Sequence, residues 1–378
     1  MSMDRPAAPV TLDGVELRVL HLPLVSPFTT SFGTETVREV IVVRAFGSDG
    51  DDGWGEIVTQ QAPLYSSEYT RSAWDVAQRF LVPALLARAQ VAPRDVAGIL
   101  EPFVGHRMVK AGLELAVLDA SLRRDGRSFA QFAGATVDRI PSGVSVGIQS
   151  DPEALVETVG GYLDEGYRRI KIKIKPGRDV ADTAAVRAAF PGIALQVDAN
   201  SAYTLADADT LAELDAFDLL LIEQPLQEDD LVDHAHLARR LRTPVCLDES
   251  IVSAKAARDA MELGSASVIN IKAGRVGGYL EAIGIHDLCV AEGVPVWCGG
   301  MLETGIGRAA NAALAALPGF TLPGDVSASA RFYAHDIVTE PITLDDGYVH
   351  VPTAPGLGMD IDRDALEAVT VDRVVLRR

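Results

Sequence analysis

Asp198, Glu223, Asp248 and Lys272 each end a short run of β-branched or aliphatic residues, and they follow one another at intervals of 25, 25 and 24 residues. Upstream, the stretch RRIKIKIKPG sets Lys171, Lys173 and Lys175 at every second position. On a β-strand such residues share a face, so their ammonium groups stand about 6.6 Å apart at roughly 3.3 Å of rise per residue. Three carboxylates brought together repel unless protons, a cation or lysines neutralise them. Hard oxygen ligands in an open site suit Mg²⁺, with Mn²⁺ or Co²⁺ as substitutes. A lysine near its ordinary pKa of about 10.4 cannot act as a base at neutral pH. Crowding beside a second lysine and a dication moves it toward the range of about 7–8 that proton abstraction needs. Two such lysines flanking a bound carboxylate could take an α-proton from either face, and so epimerise the carbon or eliminate a β-hydroxyl. Alternation puts Cys246 and Asp248 on one face, making Asp248 the better ligand and turning Glu249 elsewhere. Lys175, beside Pro176 and Gly177, is expected in solvent. The rival readings are acids that cap helices or pair with arginines, and an amphipathic edge strand with exposed lysines.

The elements that must position these residues form a regular beat after about Gly134. SGVSVGI, RIKIKIK, IALQVDA, DLLLIEQ, TPVCLDE, ASVINIK, VPVWCGG and FTLPGD read as strands separated by Ala/Leu/Glu/Arg-rich helical runs. That alternation signals βαβ units with a parallel sheet. Charged residues ending consecutive strands mark the C-terminal mouth of a (β/α) barrel, where such enzymes keep their chemistry. Lys272 then lies four strands beyond Lys171 and Lys173, roughly opposite them. The chain before this beat reads as a small α+β unit. VELRVLHLPL and VREVIVVRAFG have strand character, SDGDDGWGE a hairpin turn, and Ser66-Ser67-Glu68 the look of a helix cap. A second helix runs through VKAGLELAVLDASLRRDG. From Ala330 on, irregular structure with one strand, YVHVP, is expected to pack back on this unit. The divisions are therefore 1–133, 134–329 and 330–378.

PLVSPFTTSFGTE, GHRMVKAGLELAVLDA, YRRIKIKIKPG, QVDANSAYTL, IEQPL, CLDES, INIKAGRVGGYLEA and WCGGMLETGIGRAANAALA give the chain a resemblance to the enolase superfamily, in its muconate-lactonizing subgroup. More closely it resembles the o-succinylbenzoate synthase / N-succinylamino acid racemase family. The resemblance implies an α/β fold, a modified (β/α)₇β TIM-like barrel under an N-terminal α+β capping domain completed by the C-terminal segment. It implies Mg²⁺ ligands at Asp198, Glu223 and Asp248, an acid/base pair at Lys173 and Lys272, and a carboxylate- and enediolate-binding Lys171. It places Ser145, Asn200, Gly300, Met301 and Leu302 on the substrate side, and Phe32 and Tyr65 in the cap that closes the site. Arg275 fits an arginine of racemase-capable members, acting on the lysine opposite. Ala273 stands where KPGR is commoner, a harmless change past the strand end. The implied reactions are dehydration to o-succinylbenzoate in menaquinone biosynthesis, racemisation of N-succinylamino acids, or both. Symmetric homo-oligomers, from dimers to octamers, are common in the family. Muconate cycloisomerase and dipeptide epimerase are the neighbouring alternatives. The acidic motif that holds a dipeptide's amino group is represented only by Asp325 in PGDVSAS. A non-catalytic barrel is the alternative of another class, though it would have little reason to keep a repulsive cluster.

Composition agrees with a small-molecule carboxylate as partner. A formal charge of -19 over 378 residues argues against nucleic acid and anionic membrane surfaces. Aromatics make up 6%, giving no stacking platform for bases. Cys246, Cys289 and Cys298 form no framework and read as buried thiols in a reducing, cytoplasmic setting. MSMDRPAAPVTLDG lacks a signal-like apolar core, and no run of 18 apolar residues exists. His234 and His236 are expected on a solvated helix rather than at a metal. GRVGGYLE could open a helix whose N–H groups seat a carboxylate.

Overall fold

The computed structural model of the chain describes residues 7–48, 50 and 52–378. β1 (Gly14–Thr29), β2 (Thr34–Phe46) and β3 (Gly53–Ile57) form an antiparallel meander. The hairpin turn expected around Ser48–Glu56 includes Asp49 and Asp51, which lie outside the described residues. Two of its glycines do something else. Gly53 and Gly55 sit inside β3, where a Cβ would fall 1.9 Å from the Ala116 carbonyl and 2.0 Å from that of Gly112. Both carbonyls belong to the long helix across the sheet, so the glycines permit backbone-to-backbone packing.

Two helical pieces, α1 (Thr70–Val76) and α2 (Val82–Leu86), are joined by a π turn at Ala77–Leu81. The turn comes just before Pro83, which has no N–H to continue the ladder. Ser66-Ser67-Glu68 does not cap this helix. Glu68 instead accepts from the Arg107 and Met108 amides at 2.6 and 3.0 Å. It thereby caps α3 (Arg107–Arg124), whose own N-cap residue, His106 at φ 50°, makes no side-chain bond there.

The second sheet is parallel throughout. β4 (Gly143–Val146), β5 (Arg169–Lys173), β6 (Leu195–Asp198), β7 (Ile222–Glu223), β8 (Val245–Leu247), β9 (Val268–Ile271) and β10 (Val296–Cys298) lie side by side in chain order. Helices follow them, among them α4 (Pro152–Asp164), α5 (Asp179–Ala189), α6 (Ala208–Glu213), α7 (Leu231–Ala238), α8 (Ala254–Leu263), α9 (Tyr279–Glu292) and α10 (Gly305–Ala315). The expected eighth strand, FTLPGD, closes the ring only through isolated bridges, Val296 with Phe320 and Ser142 with Gly324. Pro323 removes a donor from the middle of the segment, so no regular ladder forms.

The end of the chain differs from the expectation. Tyr348–His350, the YVHVP strand, pairs with Arg139–Pro141 ahead of the barrel. The strand that returns to the cap is β11 (Thr370–Arg377), antiparallel to β1 from Thr370 opposite Leu20 to Arg377 opposite Gly14.

Two cap carboxylates fasten cap to barrel. Glu56 of β3 accepts from the Thr304 amide and hydroxyl and the Gly307 amide, at the start of α10. Glu114 of α3 accepts from the Leu280 amide at 3.0 Å, at the start of α9. The carboxylate that GRVGGYLE was expected to seat is thus supplied by the chain itself. A Cβ on Gly278 would meet it at 2.4 Å. Burial, with Glu303 beside Glu56 and Glu281 beside Glu114, pushes both acids up to about 7, against the pull of the amides. A carboxyl whose folded pKa exceeds its unfolded value stabilises the fold below the unfolded value and loses that contribution as pH rises through the folded one. Melting temperature should therefore fall between about pH 4.5 and pH 7 on their account. Glu114→Gln should remove part of the fall and melt about 2–4 °C above the parent at pH 8. Parallel pH–melting curves for the two proteins would refute this.

Candidate active site

Strand register builds the site. Ser145 pairs with Lys171, Lys173 with Asp198, and Asp198 with Glu223. Asp248 follows β8 and Lys272 follows β9 directly. Lys171, Lys173, Asp198, Glu223, Asp248 and Lys272 are all buried, whereas Lys175 is exposed beyond the strand. The inward column of β5 is Arg169, Lys171 and Lys173, one rung lower than the sequence suggested. The Arg169 guanidinium lies where Gly143 has no side chain, and a Cβ there would come within 2.4 Å of it.

Each acid is held by a cation. Lys173 donates to Asp198 at 2.6 Å and to the Asn200 carbonyl oxygen at 2.6 Å. Lys171 donates to Glu223 at 3.0 Å and lies 3.3 Å from Asp198. Lys272 donates to Asp248 at 2.7 Å and to the Tyr65 hydroxyl at 3.2 Å. Arg275 also binds Asp248 and donates to the Ile251 carbonyl at 2.7 Å. It stands on the Lys272 side, bonded to the same acid, and not across the barrel on the opposite lysine. Burial pushes Asp198 up, but Lys173 and Lys171 overcome it and hold the acid at about 2. Burial and the charge of Asp198 raise Glu223.

The carboxylates set the charge of two of the lysines. Burial opposes their charge, yet Asp325, Glu223 and Asp198 raise Lys171 above the ordinary lysine value. Lys272 is likewise raised, by Tyr65 and the carboxylates of Glu223, Glu249 and Asp198. With carboxylates outnumbering other influences, the charged form wins.

Two further acids join the cluster: Glu249, expected to turn elsewhere, and Asp325, expected only as the remnant of a dipeptide-binding motif. Glu249 is buried, accepts from the Asn200 amide group at 2.9 Å, and keeps its second oxygen without a partner. Burial and Asp198 push it up to about 7. Asp325 bridges Lys171 at 2.6 Å and Arg169 at 2.8 Å. Asn270, also unforeseen, donates to Glu223 at 2.7 Å.

The remaining predicted positions divide. Tyr65 reaches the cluster through its hydroxyl, which donates to Asp248 at 3.2 Å. Ser145 faces inward beside Lys171 with a buried, unpartnered hydroxyl. Gly300 lies against Asp325, a Cβ there standing 3.1 Å from its carbonyl. Met301 is buried in the cap's apolar core, and Leu302 takes φ 54° with its carbonyl held by Tyr333. Phe32 borders a cleft of about 110 Å³ between residues 28–35 and 60–64, lined by cap residues alone. The structure does not bring it to the carboxylates. His234 is buried rather than solvated. Its Nε2 accepts from the Leu226 amide at 3.1 Å, its other nitrogen meets the Asp230 carbonyl, and burial lowers its pKa.

A cleft of about 120 Å³ reaches the site past Tyr65, Glu249 and Arg275. A larger cavity of about 800 Å³ at the junction of cap and barrel borders none of the three strand-end acids or the lysines with them. Chemistry, not volume, assigns the site. Among the described residues no three acids, histidines or cysteines surround a common point as a metal would need, because ammonium groups stand among the carboxylates. The donor set nonetheless suits a hard divalent cation: three buried carboxylates from adjacent strands, plus the free oxygens of Glu249 and Asn270.

Residues 14–134 match the mandelate racemase / muconate lactonizing enzyme N-terminal domain, and residues 154–365 the enolase C-terminal domain-like family. An N-succinylamino acid racemase from Amycolatopsis sp is 58% identical, over 96% of this chain and 98% of that one. An o-succinylbenzoate synthase from Geobacillus kaustophilus is 49% identical, over 96% of each. A crystal structure of an enolase superfamily member from Listeria innocua Clip11262 superposes with a TM-score of 0.93 at 41% identity, covering 97% of this chain and 99% of that one.

Proposed function

The chain belongs to the enolase superfamily, within the family of the o-succinylbenzoate synthases and N-succinylamino acid racemases, and on that premise we propose that it abstracts the proton α to the carboxylate of an N-succinylamino acid and returns one from the other face. The observation that carries this reading is the placement of Lys173 and Lys272 four strands apart, each bonded to one of the acids between them. Asp198, Glu223 and Asp248 would hold Mg²⁺. A divalent cation there supplies positive charge against a developing enediolate and cancels the carboxylate field that keeps Lys272 charged.

The chain's own groups do the rest. One lysine takes the proton at Nζ, the C–H electron pair moves into the carboxylate, and Lys171 stabilises the added charge. The opposite lysine then delivers a proton to the other face. Tyr65, bonded to both Lys272 and Asp248, closes the cap side and excludes water. Residues 1–133 act as that cap over a barrel of 134–329, the cap's sheet being completed from the 330–378 segment by β11, with Phe32 at its outer cleft, Met301 in its apolar core and Gly300 against Asp325.

The second reading uses the same lysines for dehydration to o-succinylbenzoate, and the 49% identity to a synthase favours keeping it. There the C–H and β-C–O bonds break, a C=C forms, and the hydroxyl leaves as water with a proton from lysine. A dipeptide substrate is disfavoured because Asp325 is committed to Lys171 and Arg169. No helix among the described residues is long and apolar enough to cross a membrane. The same reading makes the enzyme cytoplasmic and homo-oligomeric.

Proton NMR in D₂O tests it. Both enantiomers of an N-succinylamino acid should lose their α-proton signal with Mg²⁺ present and keep it in excess EDTA. Exchange from neither, together with no dehydration of the hydroxycyclohexadiene substrate, would overturn both readings.

A further inference from the structure

Lys171 and Lys173 lie two residues apart on one strand, yet only one is tied to an acid outside the proposed ligand set. Lys173 contacts Asp198 and Asn200. Lys171 contacts Glu223, Asp198 and, at its shortest distance of 2.6 Å, Asp325. Asp325 is itself fixed. Its amide donates to the Cys298 carbonyl at 2.8 Å, and its other oxygen accepts from Arg169 at 2.8 Å. Arg169 is anchored in turn by the Pro323 carbonyl at 2.9 Å and lies 5.2 Å over the Trp297 ring, which also carries the Lys171 ammonium at 4.8 Å. This assembly joins Arg169 of β5 and Trp297 of β10 to Asp325 on the segment that closes the barrel, and no step of the proton transfer uses it.

We infer that Asp325 is a positioning residue: it competes with Glu223 and Asp198 for the Lys171 ammonium, which reaches all three and Asp325 most closely, so that a divalent cation can take the oxygens of those two acids while Asp325 keeps hold of the ammonium beside the substrate carboxylate. The inference rests on the proposed reading of Glu223 and Asp198 as ligands. Its logic is competition. An ammonium and a dication seek the same carboxylate oxygens, and Lys171 has only one acid partner that a cation does not claim. Without Asp325, Lys171 can satisfy itself only on those two acids. Lys173 is held instead by Asp198 and the neutral Asn200 amide, with no acid outside the proposed ligand set, which separates the roles of two neighbouring lysines.

The test is direct calorimetric titration of the full chain with MgCl₂, no substrate present, for the parent and Asp325→Asn. Groups that orient metal ligands are worth about 10–100-fold in affinity or activity, so Mg²⁺ binding should weaken about tenfold. KM for an N-succinylamino acid should rise by a similar factor, while kcat falls less. In a Lys171→Met background the same Asp325→Asn change should alter Mg²⁺ affinity less than about threefold, because its target is gone. Unchanged Mg²⁺ affinity in folded D325N, or an equal loss in the Lys171→Met background, overturns the inference. If D325N does not fold, Asp325→Glu carries the same titration, since one extra methylene prevents it from serving both Arg169 and Lys171. Weakened Mg²⁺ binding supports the inference and unchanged binding overturns it. Failure of the parent to bind Mg²⁺ would instead overturn the ligand assignment on which all this stands.

Discussion

Lys173→Ala and Lys272→Ala should each lower racemisation about 10³-fold or more while leaving a folded protein with a cooperative melt. The expectation has a finer structure than simple loss. Each lysine faces one side of the α-carbon, so each can exchange the proton of one enantiomer. Lys173→Ala should still wash deuterium into the enantiomer whose hydrogen points at Lys272, without inverting it. Lys272→Ala should do the converse. Chiral chromatography paired with proton NMR in D₂O reads both quantities. Undiminished racemisation in either variant would sink the two-base mechanism.

Arg275→Ala should destabilise the protein by about 3 kcal/mol or more, the loss that follows when one member of a buried ionic network is removed. Three anchors disappear together. Asp248 loses a guanidinium, and the Ile251 and Asn270 carbonyls lose their donors. Lys272 and Tyr65 still reach Asp248, so the acid keeps partners but not its rigid one. Thermal unfolding should show a drop of at least about 5 °C. Arg275→Lys should recover little, because an ammonium cannot span the carboxylate and both carbonyls. A variant melting with the parent would show that these bonds carry no stability.

The sequence made the barrel readable because its chemistry is periodic: acids that end apolar runs at intervals of 25 residues fit a repeating βα unit. The limits of that reading have local causes. Pro176 and Gly177 mark Lys175 as lying past the strand, but nothing beyond alternation from Lys171 points to Arg169, an arginine at the strand's first residue. Glu249 was turned outward by extending strand alternation past Leu247, where β8 stops and the chain bends. Asp325 could not be found from spacing, since its partners lie 154 and 156 residues earlier. Glu56 and Glu114 looked like ordinary acids in a strand and a helix, and only the docking of cap on barrel buries them. His234 reads as a surface residue in sequence because one helical turn does not show that the loop at Leu226 folds over it.

The cap's sheet takes three strands from residues 14–57 and its fourth from residues 370–377. All seven barrel strands lie between them in the order of synthesis. A nascent chain therefore exposes the outer edge of β1, from Gly14 to Leu20, throughout the making of the barrel. The cap sheet, begun before the barrel, is finished after it. An unpaired strand edge is a template for wrong partners, so this architecture places its period of greatest aggregation risk on the ribosome, before Thr370 has been added.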